Sequence, residues 1–183
     1  MKTFLRSFLR ARMAAIGLTA LAGILIPVIY FLLGVSNDFS VVFQPFGEDA
    51  FQANTKDYSL VLTDRQVRIN GSEWAIQLPE NAGPARKGGE VWYDDLYNGI
   101  DLRFYDKGSG RAGYDLILEP GTHPDKIRLE LKGEGTAYID GNGELVLPAA
   151  EGEIRHSAPY AYQEIDGEKI PVQSKFALVS KEL

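Results

Sequence analysis

The sequence predicts an all-β protein, a β-sandwich-like extracytoplasmic domain preceded by a single transmembrane helix. Three observations predict it. Met13–Val35 holds 23 residues without a charge, where about 20 apolar residues span a bilayer. Beyond it, runs rich in Val, Ile, Tyr and Phe alternate with Gly, Pro, Asn and Asp clusters at about 8–12-residue spacing, as in an all-β sandwich or barrel. The charge is also split. Lys2, Arg6, Arg10 and Arg12 precede the apolar stretch with no acid beside them, whereas 15 Lys and Arg against 25 Asp and Glu follow it, a net −10.

Residues 1–12 form a basic segment, amphipathic at helical spacing, with Phe4, Leu5, Phe8 and Leu9 between the cations. They are expected in the cytoplasmic interface, against anionic headgroups, or as an extension of the spanning helix. Residues 13–35 read as a helix because in lipid every backbone N–H and C=O must pair within the segment. At about 1.5 Å per residue that helix runs about 34 Å, enough for the roughly 30 Å hydrocarbon core. Pro27 removes one of its hydrogen bonds. Cations before the span and Asp38, Glu48 and Asp49 after it follow the positive-inside rule. The expected location is therefore the cytoplasmic (inner) membrane, single-pass, with the N-terminus inside and the β domain on the periplasmic or extracellular side. A cleaved signal peptide competes with this reading, but its apolar region usually runs about 7–15 residues. The best small-residue cleavage candidate is only Gly34-Val35-Ser36.

Residues 36–45 are the exit linker and 46–183 the folded domain. Strands are expected at Val41–Gln44, Tyr58–Thr63, Gln66–Asn70, Trp74–Leu78, Val91–Tyr93, Ile100–Tyr105, Gly113–Leu118 and Ile127–Leu131. Further runs are Thr136–Ile139, Leu145–Leu147, Glu153–His156, Tyr160–Ile165 and Ile170–Val179. Asp140-Gly141-Asn142-Gly143 and Asp166-Gly167 between apolar runs are hairpin signals. Pro120-Gly121 suits a type II turn. Residues 81–89 (NAGPARKGG) read as the most flexible loop.

The absence of cysteine excludes disulfides, thiol catalysis and thiolate metal sites. The acidic domain argues against nucleic acid, whose phosphates require clustered Lys and Arg.

Five ordered blocks between about Phe46 and Leu178 carry a resemblance. They are Val91–Tyr105 with its Tyr97-Asn98-Gly99-Ile100-Asp101-Leu102 core; Tyr114–Leu118 followed by Pro120-Gly121 and Pro124; Ile127–Gly133; Gly143-Glu144-Leu145; and Pro159–Gln163. Together they resemble the uncharacterised β-rich domain that precedes SBBP-type β-propeller repeats in bacterial surface proteins. The segment between Leu78 and Val91 is shorter than in that pattern. The resemblance implies a β domain outside the cytoplasmic membrane, here without the repeats and on an N-terminal membrane anchor. It implies no catalytic activity.

The candidate chemistry is sparse. Asp140–Glu144 has oxygen ligands at alternate positions, as a calcium loop begins, but the apolar Leu145–Leu147 run and Pro148 interrupt it and favour a plain hairpin. His123 and His156 lack zinc-ligand spacing, and no G-x-S-x-G elbow exists. Asp94, Asp95 and Asp101 are the candidates for paired glycosidase carboxylates, with Asp101 more simply a structural acid at a strand start. Asn70-Gly71-Ser72 matches a glycosylation sequon and also a turn between strands.

The reading that follows is a non-enzymatic membrane-anchored accessory or scaffold subunit of a membrane complex, a respiratory or photosynthetic one being a candidate host. It has no catalytic residue, metal or cofactor. Its partners are integral membrane proteins and membrane lipid. Ala15, Gly17, Ala20, Ala22 and Gly23 allow close helix approach, and Trp92, Tyr93 and Tyr97 are the candidate docking residues of the β domain. The alternative is a cell-surface adhesion or carbohydrate-binding module using the same aromatics. An enzyme with unrecognised carboxylate chemistry ranks third.

Overall fold

The computed structural model describes residues 2–10, 39–79, 83–150 and 152–179. Met13–Val35, with Ala15, Gly17, Ala20, Ala22 and Gly23, lies outside the described residues. Among the described residues there is no α-helix, and hence none long and apolar enough to cross a membrane. The described residues are all-β, in two open antiparallel sheets.

The larger sheet contains β1 (Lys2–Arg10), β7 (Ala85–Lys87), β8 (Glu90–Tyr97), β9 (Ile100–Gly108), β10 (Arg111–Leu118), β12 (Tyr138–Ile139), β13 (Leu145–Ala149), β14 (Gly152–Ile165) and β15 (Glu168–Val172). Its order is β12-β13-β14-β1-β10-β9-β8-β7, with β15 also paired to β14. The smaller sheet contains β2 (Phe43–Pro45), β3 (Phe51–Asn54), β4 (Ser59–Leu62), β5 (Gln66–Asn70), β6 (Ala75–Gln77) and β11 (Glu130–Lys132), in the order β11-β6-β5-β4-β3-β2.

Alternation builds the core. In β9, Ile100, Leu102 and Phe104 are buried while Asp101, Arg103 and Tyr105 are less so. In β5, Val67 and Ile69 are buried between exposed Arg68 and Asn70. These inner residues, with Phe43, Leu60, Leu62, Val91, Tyr93, Tyr114, Leu116 and Leu118, form one cluster drawn from both sheets. Each fully buried side chain of this size contributes about 1.5–3 kcal/mol. Tyr93 crosses between the sheets and donates its hydroxyl to the Thr63 carbonyl at 2.9 Å. Burial in this apolar layer pushes its phenol pKa up.

A smaller cluster joins the sheets elsewhere. Trp74 packs with Leu145 and Leu147, and its indole N–H donates to the Pro148 carbonyl at 2.5 Å.

The differences from the sequence reading have physical causes. Lys2–Arg10 is an extended strand rather than a helically spaced interfacial segment. Its residues fit a period of two as well as 3.6, since Phe4, Arg6 and Phe8 alternate with Leu5, Ser7 and Leu9. The backbones of β10 and β14 flank it on both sides. Residues 85–87, read as loop, form β7, a short edge strand turned back by Gly88-Gly89, with Gly88 at φ +64. Strand β3 was hidden because Gln52 and Asn54 break its apolar run. The two expected strands Glu153–His156 and Tyr160–Ile165 are one, β14, because Ala158 and Pro159 fall where its register with β1 shifts. A bulge tolerates the missing proline N–H.

The Ser109-Gly110 and Asp166-Gly167 hairpins have φ > 0 at both central residues, as a type I′ turn requires. The expected turn at Asp140–Glu144 also forms, with the Asp140 carboxylate accepting from the Asn142 and Glu144 amides at 2.8 and 3.0 Å.

Gly133 lies against the face of Trp74, and an added Cβ would stand 2.4 Å from its ring. Gly133→Ala is therefore expected to lower stability by about 1–3 kcal/mol by forcing Trp74 off its seat. Gly141→Ala, whose Cβ meets nothing within 4 Å, should be nearly neutral; denaturant midpoints of the two variants test the contrast.

Candidate functional site

The outer face of the larger sheet gathers its chemistry by register. Trp92 on β8 is the cross-strand partner of Arg103 on β9, and Arg103 that of Asp115 on β10. Tyr105, two residues beyond Arg103, shares its face. The four side chains are thus neighbours because 92, 103 and 115 form one transverse row.

Their contacts are closely matched. Arg103 Nη2 donates to Asp115 Oδ2 at 2.6 Å, and the Tyr105 hydroxyl donates to Asp115 Oδ1 at 3.2 Å. The guanidinium lies 4.9 Å from the centre of the Tyr105 ring and 5.6 Å from that of Trp92, a cation held between two aromatics. Lys87 Nζ stands 4.9 Å from the Trp92 ring and also holds Asp94 at 2.5 Å. Glu90 accepts the indole N–H at 2.9 Å and sits 3.6 Å from Arg103. Gly113 makes room for this. It pairs with Tyr105, and a Cβ there would meet the phenol ring at 2.8 Å.

Asp115 has no solvent exposure, although it lies on the outer face of the sheet. A buried carboxylate persists only when paired and hydrogen-bonded.

The three aromatic residues expected to dock a partner do not share a surface. Trp92 is half-buried on the outer face, as above. Tyr93 points to the other side and is fully buried. Tyr97 ends β8, where its hydroxyl donates to the Arg128 carbonyl and accepts from the Arg128 amide at 3.2 Å. Sequence reasoning singled out Tyr105 among the aromatic residues but missed the roles of Arg103 and Asp115. The alternation of β9 carried part of the signal, but the Asn98-Gly99 turn alone would set Asp94 opposite Arg103; the bulge between Tyr93 and Tyr97 brings Trp92 there.

The acidic candidates are accounted for locally. Asp94 pairs with Lys87, while Asp101 accepts the Asp95 amide at 2.8 Å, and Asp95 accepts from Gly99 at 3.3 Å. Asp101 is thus the structural acid of a bulged turn whose Asp95 has φ +49. Asp140 and Glu144, with Glu153, surround Arg155 on β14. Among the described residues no group of three or more potential ligands could hold a metal.

His123 is exposed at the start of a 3₁₀ turn (Pro124–Lys126). His156 is buried between the sheets, its Nδ1 3.5 Å from the Tyr114 hydroxyl. Burial pushes its pKa down to about 4.

A family model described as a domain of unknown function (DUF7948) matches residues 77–183, more than half of the chain. The match takes in the Trp92–Arg103–Asp115 row. No curated protein and no solved structure matches the chain.

Two outcomes follow from these groups. Asp115→Ala removes the acceptor of both Arg103 and Tyr105, and breaking such a pair costs about 3 kcal/mol or more. Asp115→Asn, which keeps an acceptor oxygen, should cost less in a denaturant titration. His156 takes a proton near pH 4 when folded but near 6.5 when unfolded. Stability should therefore fall by about 3 kcal/mol as pH drops from about 6.5 to 4, this contribution levelling off below. His156→Gln flattens that part of a melting-temperature profile if the assignment is right.

Proposed function

We propose that this chain, which belongs to the DUF7948 family, is a non-enzymatic scaffold subunit held at the inner membrane by Met13–Val35. Its β domain, a sandwich of the two sheets, docks on an integral membrane partner outside the cytoplasm. The observation that carries the reading is the outer face of β8, β9 and β10. There a Trp, an Arg and a Tyr stand together, each fixed by its neighbours. Trp, Tyr and Arg supply most of the binding energy at protein interfaces, and a side chain already held in place loses little entropy on binding. The uncharged 23-residue stretch and the charge asymmetry around it support the anchor. The resemblance to a domain of bacterial surface proteins supports the extracytoplasmic side.

The surface adhesion or carbohydrate-binding reading draws on the same Trp92, since sugars stack on aromatic faces. It is the less favoured because Lys87 and Arg103 already lie against that ring.

Native protein purified from membranes in mild detergent should carry a stable set of integral membrane proteins. Trp92→Ala, which leaves the Arg103–Asp115 pair in place, should reduce their recovery at least tenfold while the domain keeps its melting temperature. Unchanged recovery would remove this face from the interface, and glycan binding lost in the same variant would favour the adhesion reading.

A further inference from the structure

The seated β1 and a spanning Met13–Val35 cannot occur together in a single-pass protein. β1 lies between β10 and β14, with Leu9 beside His156 and Arg10 beside Arg155. Downstream, Phe39 leads into β2 of the facing sheet, whose Phe43 shares a core with Tyr114 and Leu116 of β10. Both ends of segment 11–38 thus belong to one folded unit. A helix through Met13–Val35 carries the chain about 34 Å. The flanking links Ala11–Arg12 and Ser36–Asp38 reach only about 7 and 11 Å. With residues 13–35 across the bilayer, residues 2–10 stand on the cytoplasmic side and the domain on the other.

In that arrangement β10 and β14 lose the strand that pairs with them, at Gly113–Leu118 on one side and over most of β14 on the other. Two rows of backbone N–H and C=O groups would then open in the middle of a sheet. Such groups require partners.

We propose that the gap between β10 and β14 is a strand-acceptor site, and that in the anchored protein an extended segment of the membrane partner fills it. This rests on the anchored-scaffold reading. The register of β1 defines what the site takes. The incoming strand runs antiparallel to both neighbours. Its positions beside Leu116, Leu118 and Ala161, all buried, take apolar or small residues. One position lies between Asp115 and Tyr160, where β1 places Arg6. A basic residue there matches the buried carboxylate. The next outer position lies between Ile117 and Tyr162, where β1 places Phe4, and takes an apolar residue. Backbone bonds to two strands at once give affinity, and the alternating side-chain positions give specificity.

The chain has no cysteine, so Thr3→Cys with Gln163→Cys, Cα partners in β1 and β14, reports directly on whether β1 is seated. The full-length double variant is oxidised in native membranes and probed with a membrane-impermeant maleimide. Amide exchange is then followed in the complex purified in mild detergent. The expected result is no disulfide, labelling at position 3 from the cytoplasmic face alone, and slow exchange over 111–118 and 157–164 that rises at least tenfold when the partner is stripped away.

A disulfide in membrane-integral protein would overturn the inference by leaving β1 seated. Fast exchange in the intact complex would overturn it by leaving the gap unfilled, and protection that persists in a two-copy species without the partner would assign the gap to a second copy instead. The last two outcomes leave the anchor standing, whereas the disulfide overturns the single-pass anchor as well, because a seated β1 excludes it. Release of the protein by alkaline carbonate would overturn the anchored reading itself, and the inference with it.

Discussion

The pairing of β9 with β10 fixes both faces of the larger sheet at once. Side chains alternate with a period of two, so one register sets Phe104 against Tyr114 inside and Arg103 against Asp115 outside. A one-residue slip of β9 would drive the guanidinium into the inter-sheet core, away from the carboxylate, and turn Leu102 and Phe104 to solvent. The inner pairs, with rings 5.7 Å apart at Phe104–Tyr114, and the outer ion pair therefore select the same alignment. Gly113 completes the constraint. It is the single position in β10 where the Tyr105 ring can cross the strand to reach Asp115. The outer cluster is thus a consequence of the register that builds the core, and no loop is needed to position it.

Around this pair the two sheets are joined by contacts of different chemistry. Tyr93 reaches the Thr63 carbonyl from inside the main core, and Trp74 reaches the Pro148 carbonyl from the smaller cluster. Each hydrogen bond contributes only about 1 kcal/mol net, while leaving its donor buried and unmade would cost more. The polar ends of these two large side chains therefore choose which carbonyl the opposite sheet presents, and so its relative placement. Burial of their rings supplies most of the stabilisation. His156 sits among the same inner residues as a neutral ring, which makes the packing between β14 and the facing sheet sensitive to acid in a way the apolar positions are not.

What the sequence made legible follows the same division. Strands with clean alternation, such as Gln66–Asn70 and Ile100–Tyr105, and hairpins with Asp-Gly, such as Asp166-Gly167, were readable because local sequence alone determines them. Strand β3 and the edge strand β7 were not. Phe51–Asn54 has too few apolar residues, and Ala85–Lys87 is exposed along its length, so each depends on its neighbour's backbone. Lys2–Arg10 was ambiguous between two periods, and pairing partners more than 100 residues away along the chain decide its extended form here. The site was half legible. Trp92 could be singled out as a candidate docking aromatic, but Arg103 and Asp115 look ordinary in sequence. Their meaning arises only when two hairpins place residues 92, 103 and 115 side by side.

The charge of that row bears on its partner. The part of the chain after residue 35 has a net charge of −10, which favours solubility and repels acidic surfaces in general. Locally the outer face departs from this balance. Asp115 is buried and already neutralised by Arg103, and Asp94 by Lys87. Towards solvent stand an indole, a phenol, the half-exposed Lys87–Asp94 ion pair and Glu90 beside Arg103, so the charges at this face are largely matched. Docking a protein surface there desolvates few uncompensated charges, the term that most often cancels the gain from buried area. A face whose electrostatics are settled internally can commit its aromatic area to binding. In the proposed subunit this separates the two contributions, with acidic loops setting which surfaces are avoided and the Trp92–Arg103–Tyr105 row setting which one is held.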